Sequence, residues 1–351
     1  MIEVCNGTVL EILWQADSDC VVIQDYVYIC LALFMFAIFI IGLLFNGSFL
    51  YILLFHNKLR ARTNIYIGAL CVTNILIGVL AIPFVGASAI SRHWLFGKNG
   101  CIFHGFIVTW LGLIQICILS AISIEKYLRI VRRIRDDFLT YPATLTLVCA
   151  CVVYSGMLAA YPLFGWNEYS FGALDISCEI NLMETSANYH SYVICLLILG
   201  LAVPLTVILF CYIKILVLVR RQRKNMFEKS CYGKRKAKEL KVIKTVFLFI
   251  VVFMLSWIPY SCLIFAAMFY PYQSINPVLA TVPALFAKSS IIWNPIIYLM
   301  TNAIFKKAFV QSIPCLGFMC KTEAKTMVIR NKSKDFDGRG CNNATIVTTF
   351  V

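Results

Sequence analysis

The hydrophobic positions of this chain fall into seven long runs separated by polar segments. The runs cover residues 27–55, 65–90, 102–124, 138–164, 189–213, 245–269 and 275–300. Each exceeds the roughly 20 residues that a helix needs to cross the hydrocarbon of a bilayer. The runs are continuous rather than alternating, so they do not have the pattern of barrel strands. The pattern predicts an all-α membrane protein with a bundle of seven transmembrane helices.

The composition supports a membrane protein and excludes other classes. Apolar residues make up 61% of the 351 residues and charged residues only 14%, and the mean hydropathy is +0.83. A soluble domain carries about 25% charged residues, so an ordinary cytosolic enzyme, a disordered chain and a coiled coil are excluded. The net charge of +14 would suggest nucleic acid in a soluble protein. Here we interpret it as a signal of orientation, and we expect lipid but no nucleic acid as a partner.

The distribution of lysine and arginine predicts which side of each helix faces the cytoplasm. Segments 1–26, 165–188 and 270–274 contain none, whereas 126–137, 214–244 and 302–351 are rich in both. Positive residues accumulate on the cytoplasmic side. We therefore expect a multi-pass plasma-membrane protein with an extracellular N-terminus and a cytoplasmic C-terminus.

Three residues on the predicted outer side have chemistry that fits this orientation. Asn6 begins the glycosylation sequon Asn6-Gly7-Thr8. Cys101 directly precedes the third run and Cys178 lies in the second outer loop. Both face an oxidising compartment, where disulfides form. We expect a Cys101–Cys178 bridge that holds the loop over the bundle; two free thiols are the alternative.

Lys288 is out of place in its surroundings. It lies about 20 Å along the seventh helix, counted at about 1.5 Å per residue from Ile275. A lysine at that depth costs at least about 2.5 kcal/mol, and both helix ends are too far away for snorkelling. No Asp or Glu lies inside any run to pair with it. Burial favours the neutral amine, which is the form that condenses with an aldehyde.

Lys288 and the residues after it resemble a known family. The stretch Ala287–Ser290, followed by Asn294-Pro295-Ile296-Ile297-Tyr298, is similar to the seventh helix of animal opsins. Opsins are retinal-binding, rhodopsin-like G-protein-coupled receptors. The resemblance covers about residues 27–320, and a lysine six residues before the Asn is its most specific element. It implies 11-cis-retinal as the cofactor, attached to Lys288 through a Schiff base.

Other positions match the family along the whole chain. In the family, activation and G-protein coupling use positions that correspond to Glu125, Lys126, Tyr127, Tyr212, Glu239, Asn294, Pro295 and Tyr298. Asn46 and Pro204 match the first and fifth helices. The resemblance implies a short amphipathic eighth helix at 302–314 containing Phe305 and Phe309. It also implies palmitoylation of Cys315 and Cys320 in a cytoplasmic tail at 315–351, after a transmembrane domain at 27–301 and an extracellular segment at 1–26.

Six residues are candidates for the wall of a retinal pocket, and they are Thr109, Gly112, Trp257, Tyr260, His104 and Glu179. Trp257 and Tyr260 belong to a sixth-helix motif, Ser256–Tyr260, and share a helix face because they are three residues apart. Gly112 leaves space for a ligand ring, and Thr109 lies one turn outward. Without Lys288, these residues would indicate ordinary helix packing.

Three departures from the family pattern affect the expected activation mechanism. Lys126 stands where the family has Arg, and it lacks the planar bidentate fork. Asn74 replaces an Asp, which removes the usual sodium-site carboxylate. Val152 stands where a Trp is common.

The anion that should balance a protonated Schiff base is not evident. The vertebrate visual position, three residues after Cys101, is His104, and the loop position used by many other opsins aligns with Gly172. Three readings remain open. Glu179 could turn inward, a chloride could bind near His104, or the base could be neutral and absorb ultraviolet light. Asp175 and Glu184 are the next acids in the loop.

The sequence favours a light-activated receptor that signals to a heterotrimeric G protein through a shift of the sixth helix and weaker contacts between Lys126 and Glu239. A retinochrome-like photoisomerase and a receptor for another ligand are the alternatives. Hydroxyl residues of the tail suggest a receptor kinase and arrestin as further partners. Thr349-Phe350-Val351 fits a C-terminal ligand for a PDZ domain.

Overall fold

A computed structural model describes residues 3–4, 20–21, 23–55, 63–134, 140–224 and 232–302, together with 305, 306 and 309. Side chains are described within these ranges except at 3–4, 20–21, 222–224, 232–242 and 273. The described chain has seven helices long and apolar enough to cross a membrane. The expected all-α bundle of seven transmembrane helices is confirmed.

Each predicted run is a helix whose ends lie within a few residues of the expected ones, apart from three longer helices. The spans are Asp25–Phe55, Thr63–Ser91, Gly97–Ile130, Tyr141–Phe164, Ala187–Arg221, Ile243–Ala267 and Pro277–Thr301. The third and fifth spans extend beyond their apolar runs into polar residues. The sixth helix begins at Tyr232, well before its apolar run.

Several spans contain a break, a change of helix type or a proline. The second span consists of helices Thr63–Leu80 and Ile82–Ser91, with Pro83 at the start of the latter. The fourth ends in a 3-10 turn, Tyr161–Phe164, and the fifth contains a π-helical stretch, Leu196–Ala202. The sixth contains Pro259, which cannot donate to the helix ladder. The seventh consists of Pro277–Lys288 and Ser290–Thr301.

The third span is the central helix of the bundle. In its most apolar stretch 78% of the residues are buried, against 28%, 28% and 22% in the first, fourth and fifth spans. Those three expose large apolar side chains such as Leu44, Val153 and Phe210. Such outer faces suit hydrocarbon, so the third span is the element around which the interior is organised.

The second outer loop folds into a short antiparallel hairpin. Strand Tyr169–Phe171 pairs with strand Cys178–Ile180, and Ser170 lies opposite Glu179. The Cys101–Cys178 disulfide joins the second strand to the outer end of the third span, as expected. Both cysteines are buried. The bridge therefore fixes the hairpin against the bundle. A second, parallel pair joins Glu3–Val4 and Cys20–Val21.

A chain of neutral side chains connects four spans in the interior, and we call it the amide chain. Ser290 donates to Gln115 Oε1 (3.4 Å), Gln115 donates to Asn74 Oδ1 (2.8 Å), and Asn74 donates to Asn46 Oδ1 (2.9 Å). Asn46 in turn donates to the carbonyls of Gly42 and Ile291. All four side chains are buried. Each amide oxygen in the chain accepts a hydrogen bond, as buried polar groups require.

The inner end of the first span packs against residues that follow the seventh. Phe305 is buried against Phe49 and Tyr298, with ring centroids 4.6 and 5.3 Å apart, and Phe309 stacks on Phe45. These contacts agree with an apolar face of the proposed eighth helix. Asn6, Cys315, Cys320, the sites in the tail and the terminal Thr349–Val351 lie outside the described residues.

Candidate functional site

An apolar cavity lies between the third, fifth, sixth and seventh spans, beneath the loop hairpin. It holds about 980 Å³ of space free of protein atoms, including the space at its opening. Its walls are mainly aliphatic and aromatic, with residues such as Val108, Leu113, Ile116, Phe253 and Ile264. Apolar pockets that contain a few polar groups bind small molecules.

Lys288 belongs to the wall of this cavity. Its side chain is buried, with 4% of the residue exposed, and its Nζ donates weakly to the Ala284 carbonyl at 3.5 Å. It is the last residue of helix Pro277–Lys288, directly before the break at Ser289. Among the described cavity-lining residues, only Lys288 carries an amine. The cavity therefore brings one reactive nitrogen into an apolar space.

Gly112 and the Trp257 ring are in contact in the cavity wall. A Cβ placed on Gly112 would lie 2.6 Å from Trp257 Cη2, so only glycine leaves room for the indole there. The buried Nε1 of Trp257 has no hydrogen-bond partner in the described structure. Tyr260 lies one turn further along, with its ring 6.3 Å from that of Trp257, and Thr109 also lines the cavity. These four predicted residues are brought together.

Glu179 enters the cavity from the hairpin. Only 9% of the residue is exposed, and it lines the same space as Lys288. Its Oε1 accepts from the Ser177 hydroxyl at 3.2 Å. Burial raises the pKa of the Glu179 carboxyl, while the positive charge of Lys288 and hydrogen bonds from Tyr260 and Ser177 act to lower it. The cavity thus contains one carboxylate and one amine among its described residues.

His104, which we expected in the pocket, lies beside it instead. It is not part of the cavity wall. Its Nδ1 lies 3.1 Å from the Cys178 carbonyl, which only accepts, so this nitrogen donates. Its ring packs edge-on to Trp94, with centroids 5.3 Å apart, and near Phe84. Nε2 is buried without a partner in the described structure. His104 thus contacts the hairpin backbone at Cys178 and does not line the cavity.

A second polar cluster lies at the inner end of the third span. Lys126 Nζ donates to Thr63 Oγ1 and lies 3.8 Å from Glu125 Oε1. The same Glu125 oxygen lies 3.4 Å from the Thr63 hydroxyl and 3.1 Å from Arg129 Nη2. Glu125, Lys126 and Thr63 are buried. The cluster ties the third span to the second.

The described contacts of Lys126 are those with Thr63 and Glu125. The expected contact with Glu239 stays a prediction, because the Glu239 side chain lies outside the described residues. Arg129 and Thr63 were missed in the sequence. Arg129 follows Glu125 by four residues, a spacing at which helix side chains meet, so Arg129 could have been found. Thr63 could not, because it comes from another helix.

The remaining predicted activation residues lie in the inner half of the bundle. Tyr298 is buried and donates to Asn64 Oδ1 at 3.2 Å, and its ring packs on Phe49 at 5.0 Å. Asn294 and Pro295 are buried one turn before it. Tyr212 is buried in the fifth span and its hydroxyl has no partner in the described structure. Tyr127 is half-buried and packs on Phe210.

The arrangement of the cavity, the disulfide and the seven spans agrees with a single receptor family. Residues 45–298 match the model of the seven-transmembrane receptor (rhodopsin family). The chain belongs to this family, which comprises receptors rather than enzymes and implies coupling to a G protein.

Within this family the chain is related to opsins. It is 29% identical to melanopsin-B of Xenopus laevis over 310 residues, which are 86% of this chain and 58% of that protein. It is 27% identical to the Gq-coupled rhodopsin of Mizuhopecten yessoensis over 88% of this chain and 63% of that one. The crystal structure of squid rhodopsin superposes with a TM-score of 0.76 at 26% identity, covering 84% of this chain and 87% of that one. The chain thus spans about three fifths of the length of the first two relatives.

Proposed function

We propose that this protein is a light-activated receptor that binds retinal covalently through Lys288 and activates a heterotrimeric G protein. The observation that carries the proposal is a buried lysine in the wall of an apolar cavity. The similarity of the chain to melanopsin-B and to the Gq-coupled rhodopsin of Mizuhopecten yessoensis supports the same function. The buried amine and the apolar walls suit an aldehyde attached to a long hydrocarbon.

The residues present fit such a ligand. Because Gly112 has no Cβ, the Trp257 ring can lie against the third span without narrowing the cavity. The aromatic faces of Trp257 and Tyr260 can hold a flat polyene. Retinal, when bound to Lys288 with loss of water, supplies the absorption of light and the change of shape. Lys288 fixes one end of the ligand, and the hairpin residues Glu179 and Ile180 close the cavity on the outer side.

The protein's own residues carry a change in the cavity to the cytoplasmic side. Trp257 lies two residues before Pro259, where the helix ladder lacks a donor, so a push on the indole acts at the weakest point of the sixth span. Phe253 stacks beneath Trp257 with centroids 5.8 Å apart. We propose that movement of this pair releases the sixth span and opens a basic cytoplasmic cleft to the G protein.

Light-dependent nucleotide exchange tests this function directly. The protein, reconstituted with 11-cis-retinal in the dark, should accelerate guanine-nucleotide exchange on a purified heterotrimeric G protein only after illumination. A panel of G-protein subtypes is needed, with retinal-free protein as the control. Formation of a pigment with equal exchange in light and darkness across the panel would contradict receptor signalling.

The contact between Gly112 and Trp257 makes a prediction about pocket shape. Gly112→Ala should weaken retinal uptake roughly tenfold, because the added methyl group displaces the indole into the cavity. Overpacking costs about 1–3 kcal/mol, and about 1.4 kcal/mol is a tenfold change in affinity. Gly47→Ala is the matched control, since its Cβ would meet nothing within 4 Å. Pigment yield against retinal concentration measures both; equal uptake by the two variants would argue against a ligand beside Trp257.

A further inference from the structure

We propose that Glu179 is the anion that balances the positive charge at the Lys288 nitrogen. It would take the place of the acids that other opsins carry in the third span or at the position of Gly172. The inference rests on the proposed function where that nitrogen is part of a Schiff base. The pairing of the two side chains can also be tested without retinal.

The first support is that the two groups share one enclosed space. Glu179 and Lys288 both line the cavity, with 9% and 4% of each residue exposed. Among the described lining residues, only Glu179 bears a carboxylate. A buried charge without a partner is strongly unfavourable, whereas an oppositely charged neighbour offsets part of its desolvation. An electrostatic interaction between the Lys288 amine and the Glu179 carboxylate therefore offsets the cost of burying each of them in this cavity.

The second support is the way the hairpin positions the carboxylate. Cys178 is held to the third span by the disulfide, so the adjacent Glu179 has little freedom to turn outward. The Ser177 hydroxyl donates to its Oε1 at 3.2 Å. A Cβ on Gly172 would lie 3.7 Å from the same oxygen. The Glu179 carboxylate thus lies beside Gly172, the position that carries the acid in many opsins, although the two residues are seven apart in sequence.

The third support is that the rival anions are poorly placed. A chloride near His104 needs N–H donors, but Nδ1 is engaged with the Cys178 carbonyl. In the neutral ring that tautomer leaves Nε2 as an acceptor, and this atom lies outside the cavity wall. Asp175 and Glu184 are exposed on the outer surface of the loop. Neither lines the cavity.

The environment of Glu179 contains few other groups that titrate. Lys288 faces it from the seventh span and Tyr260 from the sixth. Tyr272 acts on it electrostatically from the last outer loop, and His104 lies behind the neighbouring Cys178. Tyr260 is neutral at physiological pH, and its hydroxyl is a hydrogen-bond donor to the carboxylate. Lys288 is therefore the cationic partner that these groups offer to the Glu179 carboxylate.

The test measures the pH at which the pigment changes from visible to near-ultraviolet absorption. In Glu179→Gln this transition should move down by at least about one pH unit, because an opposite charge nearby shifts a proton-binding equilibrium by about 1–3 units. Glu168→Gln removes an exposed acid of the same loop and should leave the transition unchanged. Exchange of chloride for gluconate should have no effect on the wild-type protein. Borohydride reduction confirms covalent attachment in each sample.

Two outcomes of this titration would overturn the proposal. One is a covalent Glu179→Gln pigment with the wild-type transition. The other is a wild-type transition that depends on chloride. If the wild-type protein traps no retinal at all, the proposed function fails, and the pairing is judged by the retinal-free protein alone.

The retinal-free protein provides that independent measurement. Glu179→Gln and Lys288→Met each leave one buried charge unpaired and should lower the unfolding temperature. The double variant should unfold at a higher temperature than the sum of the two losses predicts, because it removes both charges together. Strictly additive losses would mean that the two side chains do not interact, and would overturn the pairing.

Discussion

Replacing Lys288 with alanine should abolish the covalent, light-sensitive pigment while leaving a folded protein in the membrane. The side chain is buried in the cavity wall, and no other described lining residue bears an amine. No neighbouring group can therefore take over the attachment. Insertion of the spans is set by the apolar runs and by the Lys and Arg of the loops, none of which this change affects, so the seven spans should insert as before. Absorption after reconstitution with 11-cis-retinal measures the pigment.

Lys98 provides the control for the Lys288 substitution. Lys98→Ala alters an exposed lysine at the outer end of the third span and should give wild-type pigment. Mass spectrometry after borohydride reduction should locate retinal on the peptide containing Lys288 and on no other. A Lys288→Ala protein that still yields a reducible, light-sensitive adduct would refute the attachment site.

Loss of the Cys101–Cys178 disulfide should have the largest effect on stability. Removing a native disulfide from a small secreted domain typically costs about 2–5 kcal/mol, and this one closes a separation of 77 residues. Both cysteines are buried, and the second strand of the hairpin, with Glu179 and Ile180, is attached through the bridge. We expect the Cys101→Ser/Cys178→Ser double variant to give little folded protein and to lose the closed cavity. Thermal unfolding in detergent measures the loss.

Cys262→Ser is the matched control for the disulfide, because Cys262 is a free, exposed cysteine of the sixth span. It should unfold at the wild-type temperature. A double serine variant that unfolds at that temperature too, and forms a normal pigment, would mean that the hairpin is held by packing alone.

The spans and Lys288 are predictable because their signals are local. A run of more than 20 apolar residues identifies a span wherever it packs, and one lysine inside such a run is conspicuous without any knowledge of its neighbours. The sixth-span pair Trp257 and Tyr260 is predictable for the same reason, since helical spacing alone puts both on one face. Gly112 was added by analogy with the family, and its contact with Trp257 supplies the physical reason.

The loop could not be derived in this way. Whether Glu179 or His104 faces the cavity depends on how the hairpin pairs and on which backbone carbonyl the histidine meets. Neither follows from hydropathy. The amide chain was missed for a related reason. The sequence shows that Asn74 stands where the family has an aspartate. Its partner Gln115 cannot be predicted in the same way, because it comes from another helix, 41 residues away.

The amide chain has a consequence for how the receptor responds to its surroundings. It joins the first, second, third and seventh spans through one hydroxyl and three carboxamides, none of which gains or loses a proton at any physiological pH. Gln115 donates to the very atom, Asn74 Oδ1, that an aspartate would offer to a cation. The amide chain therefore contains no ionic switch, and the contacts that it makes among these four spans should not depend on sodium or on pH.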